Sequence, residues 1–301
     1  MRIDVAGMGK KTVQKSARNI FLRTLLPLPA LAMLLFPAAL PAIEGLSNEG
    51  NIAPWAYNLK PGYFEFEPEI DYSTFDHYID DSGKPVPAKG RYQLTEVNFR
   101  ITAGISERVE MGAVFGMETE SFDSYENEQE DSTHTSMVDA QVAFKYRFWG
   151  ENDSRALALE AGILLPMISE SSYAVWEAGL IYSHPLSEKL RMDIDATYFV
   201  TTENEPGDPL MGTHANVSFC YYPADKWMIA AELNGYFYDV KGQSEDSWNL
   251  SPSLGVDYEI NDTLSVQIYG QQDIPGLAAN TELETLGVMQ FTFAFGPKKQ
   301  P

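Results

Sequence analysis

Apolar and polar residues alternate along most of the chain beyond residue 62. The clearest stretch is 138–148. There Val138, Ala140, Val142, Phe144, Tyr146 and Phe148 interleave with Asp139, Gln141, Ala143, Lys145 and Arg147. A period of two sorts these sets onto opposite faces of a β-strand, which no helix can do. The same pattern predicts twelve strands, over 63–75, 91–105, 109–120, 138–148, 155–165, 173–184, 190–200, 213–222, 227–240, 248–260, 264–273 and 283–296.

Three short polar turns, Ser187-Glu188-Lys189, Ala224-Asp225-Lys226 and Asn261-Asp262-Thr263, have their centres 37 residues apart. About 37 residues hold two membrane-crossing strands of about 10 residues each and one long loop. Loops after the even strands are short, whereas those after the odd strands are mostly longer and richer in Pro, Gly and acid. Short periplasmic turns with long external loops predict that asymmetry, and both termini then fall in the periplasm. Trp149, Tyr182, Tyr222, Trp227, Trp248 and Tyr258 lie near strand ends, where interfacial aromatic girdles belong. The expected fold is all-β: a transmembrane antiparallel up-and-down β-barrel of about 12 strands after a cleaved signal peptide. A soluble sandwich is the competing fold. The aromatic-rich outer face and the even turn spacing argue against it.

The N-terminus fits export. Arg2, Lys10, Lys11, Lys15, Arg18 and Arg23 form a basic region before the apolar run Leu25 to Phe36, which is too short to cross a bilayer as a helix. The small residues of PAALPA place cleavage after Ala42, and a retained anchor is the alternative. The chain thus divides into a signal peptide (1–42), a periplasmic lead-in (43–60), the barrel (61–296) and a short tail (297–301).

Removing residues 1–42 takes away six bases and one acid, which moves the formal charge from −22 to −27. Such acidity excludes nucleic acid, whose phosphates need a basic surface. It suits loops that face divalent cations at a cell surface. The lone Cys220 excludes an intramolecular disulfide and is expected to be sequestered.

Alternation also assigns the inner wall. Candidate lumen-lining residues are Glu96, Arg100, Glu110, Asp139, Lys145, Arg147, Glu160, Glu177, Arg191, Asp193, Asp195, Glu232 and Asp257, with Glu65, Glu67, Glu69, Glu118 and Glu259 on the same face. These charges have two readings. They are a salt-bridge and hydrogen-bond network filling a narrow barrel, or the acid-rich wall of a pore that selects by field. Twelve strands lie between a packed 8-stranded barrel and an open channel of 16–18.

Catalysis finds weak support. Of the four histidines, His214 is placed at the outer rim, at a different height from inward-facing Ser218. The acidic loop 123–135 lacks the spaced Asp/Asn and the Gly of a calcium loop. No metal spacing or phosphate loop is found in the sequence, and no cofactor is expected.

The stretch VNFRITAGISERVEMGAVFG (97–116) resembles a turn-and-strand phrase of the Gram-negative outer-membrane barrel family named after the meta-pathway of phenol degradation. IYSHPLSEKLRMDIDATY (181–198) is similar to its return hairpin, and Phe291, Phe293 and Phe295 to its closing strand. In place of the common terminal aromatic, PKKQP follows Gly296. The resemblance implies a barrel of about this strand number and a transport role, and it carries no catalytic or ligand-binding residues.

The expected function is a channel or transporter for small solutes, hydrophobic or aromatic ones among them, in the bacterial outer membrane. Its partners would be outer-membrane lipid and lipopolysaccharide, the barrel-assembly machinery and periplasmic chaperones, and the solute. A closed structural or surface-interaction barrel with acidic external loops is the alternative, and a rim-located hydrolase the third.

Overall fold

In the computed structural model the described residues are 56–296, apart from 81, 126–131, 153, 166–173, 202–208, 241–246 and 280. The expected signal peptide, most of the lead-in, the tail and the centre of the acidic loop lie outside them. Twelve long strands form the wall: β1 (Phe64–Ile79), β2 (Pro85–Ser106), β3 (Val109–Ser124), β4 (Ser132–Gly150), β5 (Ala156–Leu165), β6 (Val175–Ser187), β7 (Leu190–Thr201), β8 (Pro209–Ala224), β9 (Trp227–Val240), β10 (Ser247–Asn261), β11 (Leu264–Gln272) and, last in the chain, β14 (Thr285–Phe295). Between the last two lie two-residue strands, β12 (Ala278–Ala279) and β13 (Thr281–Glu282). Each long strand pairs antiparallel with the next, and β1 pairs with β14 from Phe64↔Phe295 to Thr74↔Thr285, so the sheet closes on itself. Closure leaves no edge in the hydrocarbon.

Burial is inverted relative to a soluble protein. Lys145 is 0% exposed and Arg147 4%, whereas neighbouring Phe148 is 42% and Leu254 62% exposed. Apolar side chains face outward on nearly every strand, and polar ones fill the interior. Only lipid outside makes that arrangement favourable. No helix among the described residues is long and apolar enough to cross a membrane, so the crossing is by strands.

Four hairpins close through two-residue loops, after Ser106↔Val109, Ser187↔Leu190, Ala224↔Trp227 and Asn261↔Leu264. The chemistry of three is local. The Ser106 and Ser187 hydroxyls accept from the Arg108 and Lys189 backbone N–H groups, and the Asn261 side chain accepts from Thr263 N at 2.9 Å. Such side chains stand in for a backbone acceptor and fix the turn.

The wall is uneven in height. β2 has 22 residues and β4 has 19, against 10 in β5 and 9 in β11. About 10 residues suffice to span the membrane. The surplus on β1–β4 stands above the lipid at the long-loop end. Alternation of apolar residues stops there, and hydroxyls pair across the outer face, as in Thr119 with Thr135 and Ser121 with Thr133. The second and fourth strands therefore begin at 85 and 132, ahead of the expected 91 and 138. The last begins at 285 and not 283, because β12 pairs with β10 and β13 with β1 on the way into it.

Candidate functional site

The lumen is the candidate site, and its short-turn end holds the start of the described chain. Ala56, Tyr57, Asn58 and Leu59 are buried, with Ala56 and Tyr57 packed on Ala156, Ala158 and Ile181. The segment is tied to the wall. Ala56 N donates to Ser183 Oγ (2.8 Å), Tyr57 Oη to the Ser154 carbonyl (2.7 Å) and Leu59 N to Glu110 Oε2 (3.0 Å). Asn152 brackets Asn58, accepting from its N–H and donating to its carbonyl at 3.0 Å. Gly104 makes the close approach possible, because a Cβ there would collide with the Leu59 and Lys60 carbonyls.

Three bases of the inner wall gather around this segment. Lys145 Nζ lies 2.8 Å from Glu110 Oε1, and its other strand neighbour in register is Glu160. Arg147 binds Asn152 and the Glu107 carbonyl. Arg191 donates from Nε to Asp193 Oδ2 at 2.8 Å, and its guanidinium sits over the rings of Tyr57 and Tyr222 at 5.8 and 5.6 Å. The fourth base, Arg100, bridges Glu67 (3.1 Å) and Glu69 (3.9 Å), while Gln290 and Thr292 also donate to Glu67. Gln141 donates to Glu177, and Thr197 to Glu160.

The sector β8–β11 differs. Lys and Arg within the strands are confined to β2, β4 and β7, so these four strands have none, and neither do β14 and β1, which continue the run, nor β3, β5 and β6. The inner faces of β8–β11 carry small or neutral polar groups: Asn216 and Ser218 on β8, Asn234 on β9, Ser247, Asn249, Ser251 and Ser253 on β10, and Gln267 on β11, all buried. Glu232 accepts from Asn216 and Ser253. Asp257 and, at the border on β7, Asp195 keep buried carboxylate oxygens without a hydrogen-bond donor among the described residues. At the short-turn end of this sector a cavity of about 260 Å³ opens between the Asn58–Lys60 segment and the wall, lined by Glu65, Asp257, Glu259, Asp262, Ser265 and Thr292 among others.

Of the candidate lumen residues, Arg100, Glu110, Lys145, Arg147, Glu160, Glu177, Arg191, Asp193, Asp195, Glu232 and Asp257 are buried, and Glu96 is half-buried. The Asp139 side chain lies outside what is described. Cys220 is buried, beside Met228 and Ala230. His214 departs from its expected rim position. β8 starts at 209, which puts His214 inside the wall, with Nδ1 3.4 Å from Asp195 Oδ2 and its ring stacked on Tyr236 at 4.8 Å. Sequence reasoning missed Tyr57, Asn152, Asn216, Asn234 and Gln290. The last three share inward parity with charged neighbours, a signal that was available. Outside the strands, hydrogen bonds from the Lys84 backbone N–H and from Ser82 hold the Asp80 carboxyl below its ordinary range.

A family model described as "Putative MetA-pathway of phenol degradation" matches residues 79–277. Among solved structures, the chain is similar to an outer membrane channel from Pseudomonas putida F1, at 11% identity over 81% of this chain and 100% of that one, with a TM-score of 0.68. The transport unit of the autotransporter AIDA-I from Escherichia coli aligns at 12% identity over 78% and 91% of the two chains, TM-score 0.49. The translocator domain of the autotransporter NalP from Neisseria meningitidis aligns at 12% over 79% and 90%, TM-score 0.48. No curated protein matches. The first likeness concerns the fold, a closed twelve-strand barrel of the outer membrane.

Proposed function

The chain belongs to the family named for the MetA-pathway of phenol degradation, and we propose that it is a narrow outer-membrane channel for small neutral or cationic solutes. In this reading the short turns are periplasmic, and a tag at Asp225 or Asp262 stays inaccessible on intact cells. Solutes move along the β8–β11 sector and leave through the cavity beside the N-terminal segment. The observation that carries the reading is the unbroken run of strands without Lys or Arg from β8 through β11 and β14 to β1, in a wall whose Lys and Arg lie on β2, β4 and β7. A wall with acids and no fixed cation attracts positive charge and repels anions. The family's name supports aromatic or phenolic solutes, by analogy alone.

The second reading, a closed barrel, draws on the depth to which Ala56–Leu59 and the wall side chains are buried. Single-channel recording in planar bilayers decides between them. The channel reading expects a small conductance with cation preference under a KCl gradient. Anion preference would overturn the acid-walled lane, and silence of a folded barrel would leave the closed one.

A further inference from the structure

The part of β1–β3 that stands above the lipid has water on its outer side and covers that side with Thr, Ser, Gln and charged residues such as Arg91 and Asp123. Its inner side is different. Phe75 stacks on Tyr92 at 4.6 Å, Tyr92 meets Phe122 at 4.6 Å, and Tyr78 meets Phe75 edge-on at 5.7 Å. Tyr92 shares parity on β2 with Asn98 and Arg100, which are buried in the lumen, so this ring face looks into the long-loop mouth. Tyr78 is 39% exposed, whereas Phe122 beneath is 7% exposed. The cluster thus has a supported floor and an open rim.

Acids border the rings. Glu120 precedes Phe122 by two residues on the same face, about 7 Å along the strand. Glu282 is the register partner of Tyr78 on β13. The nearby bases Lys89 and Arg91 have the opposite parity on β2. His134 is the register partner of Glu120 on β4.

From this juxtaposition we infer that the ring cluster is an entry subsite for a single-ring aromatic cation, an aryl- or benzylammonium. The ring stacks on Tyr92 and Phe122, the charge lies toward Glu120, and Glu282 adds to the acidic field at the far end of the cluster, beside Tyr78. Ring–ring stacking and cation–π attraction both favour that occupant, and the acids disfavour an aromatic carboxylate. The inference rests on the channel reading for its purpose but is read out by binding, which needs no conductance.

The test is calorimetric titration of the folded, detergent-solubilised barrel with benzyltrimethylammonium, tetramethylammonium and benzoate. The expected order is benzyltrimethylammonium first, tetramethylammonium weaker by about tenfold, and benzoate without measurable binding. Tyr92→Leu with Phe122→Leu should remove most of the difference between the two cations. Glu120→Gln with Glu282→Gln should weaken both cations in parallel, less so at high salt. Heat-modifiable gel migration confirms that each variant is folded. Equal binding of the two cations, binding of benzoate at matching strength, no binding at all, or folded Tyr92/Phe122 variants that bind like the parent would each overturn the subsite. In those cases the rings only stiffen the tall wall.

Discussion

On the inner faces of β2, β4 and β7, Arg100, Lys145, Arg147 and Arg191 are each fixed by carboxylates, carbonyls or amides, and three of the four also brace the N-terminal segment. On β8–β11 the same alternation delivers acids, amides and hydroxyls, with His214 but no Lys or Arg among them. The two sectors share one backbone geometry and differ in charge balance. A buried carboxylate with a base attached is structural material, because its field is neutralised where it stands. One without such a partner leaves a field in the lumen that a mobile cation can answer. On the channel reading proposed above, the filler and pore roles of the inner charges fall to different parts of one wall.

The largest expected effect is on the clamped side. Lys145→Met leaves Glu110 and Glu160 buried without their cation, and breaking such a pair costs about 3–5 kcal/mol. Urea unfolding in lipid vesicles measures it. A cost below about 1 kcal/mol would mean that Lys145 is no clamp, and the comparison would lose its structural half.

Next comes the boundary between wall and lipid. Phe144→Arg, outward and mid-strand, should cost about 2–4 kcal/mol. Gln141→Arg, on the inner face beside Glu177, should cost much less. Equal penalties at 141 and 144 would erase the distinction between faces on which both sectors depend.

How much of this was legible beforehand depends on what carries the information. Facing is encoded by parity, so strands such as 138–148 and 190–200 declare their two sides, and Lys145, Arg147, Arg191, Asp193 and Asp195 are buried. Turn residues with local hydrogen bonds, Ser187 and Asn261 among them, announce the hairpins. Strand ends above the lipid do not, because Thr133 and Thr135 have water outside and no apolar alternation to display. That gap also misplaced His214 at the rim. Residues 56–59 have no period at all. Their burial follows from contacts with Ser183, Asn152 and Glu110, between 51 and 127 positions away in the chain. Which acid keeps a base is likewise a matter of register around the barrel, as in Glu110↔Lys145↔Glu160, and no single strand reveals it.

A smaller effect sharpens the role of the N-terminal segment. Asn152→Ala removes both hydrogen bonds that bracket Asn58, worth about 1–3 kcal/mol together. The segment should then leave the wall more often, seen as higher mean conductance and faster proteolysis near residue 58. Unchanged values on both counts would assign its placement to Tyr57 and the alanine cluster instead.

The smallest effect concerns the lane itself. Asp257 lines the cavity at the short-turn end and keeps one buried oxygen without a donor. Asp193, by contrast, holds Arg191 at 2.8 Å. In a KCl gradient, Asp257→Asn should move the reversal potential toward zero by several millivolts, since one uncompensated charge is lost from a low-dielectric constriction. Asp193→Asn should move it the other way or not at all, because it frees the Arg191 guanidinium and leaves the lane acids in place. Both shifts should shrink at 1 M salt, where screening acts over roughly 3 Å. Asp257→Asn should not alter stability as Lys145→Met does, because the Asp257 oxygen has no base to lose. If Asp193→Asn cut cation preference as far as Asp257→Asn, the lumen would have to be treated as one uniform acidic tube, and the division into clamp and lane would fall.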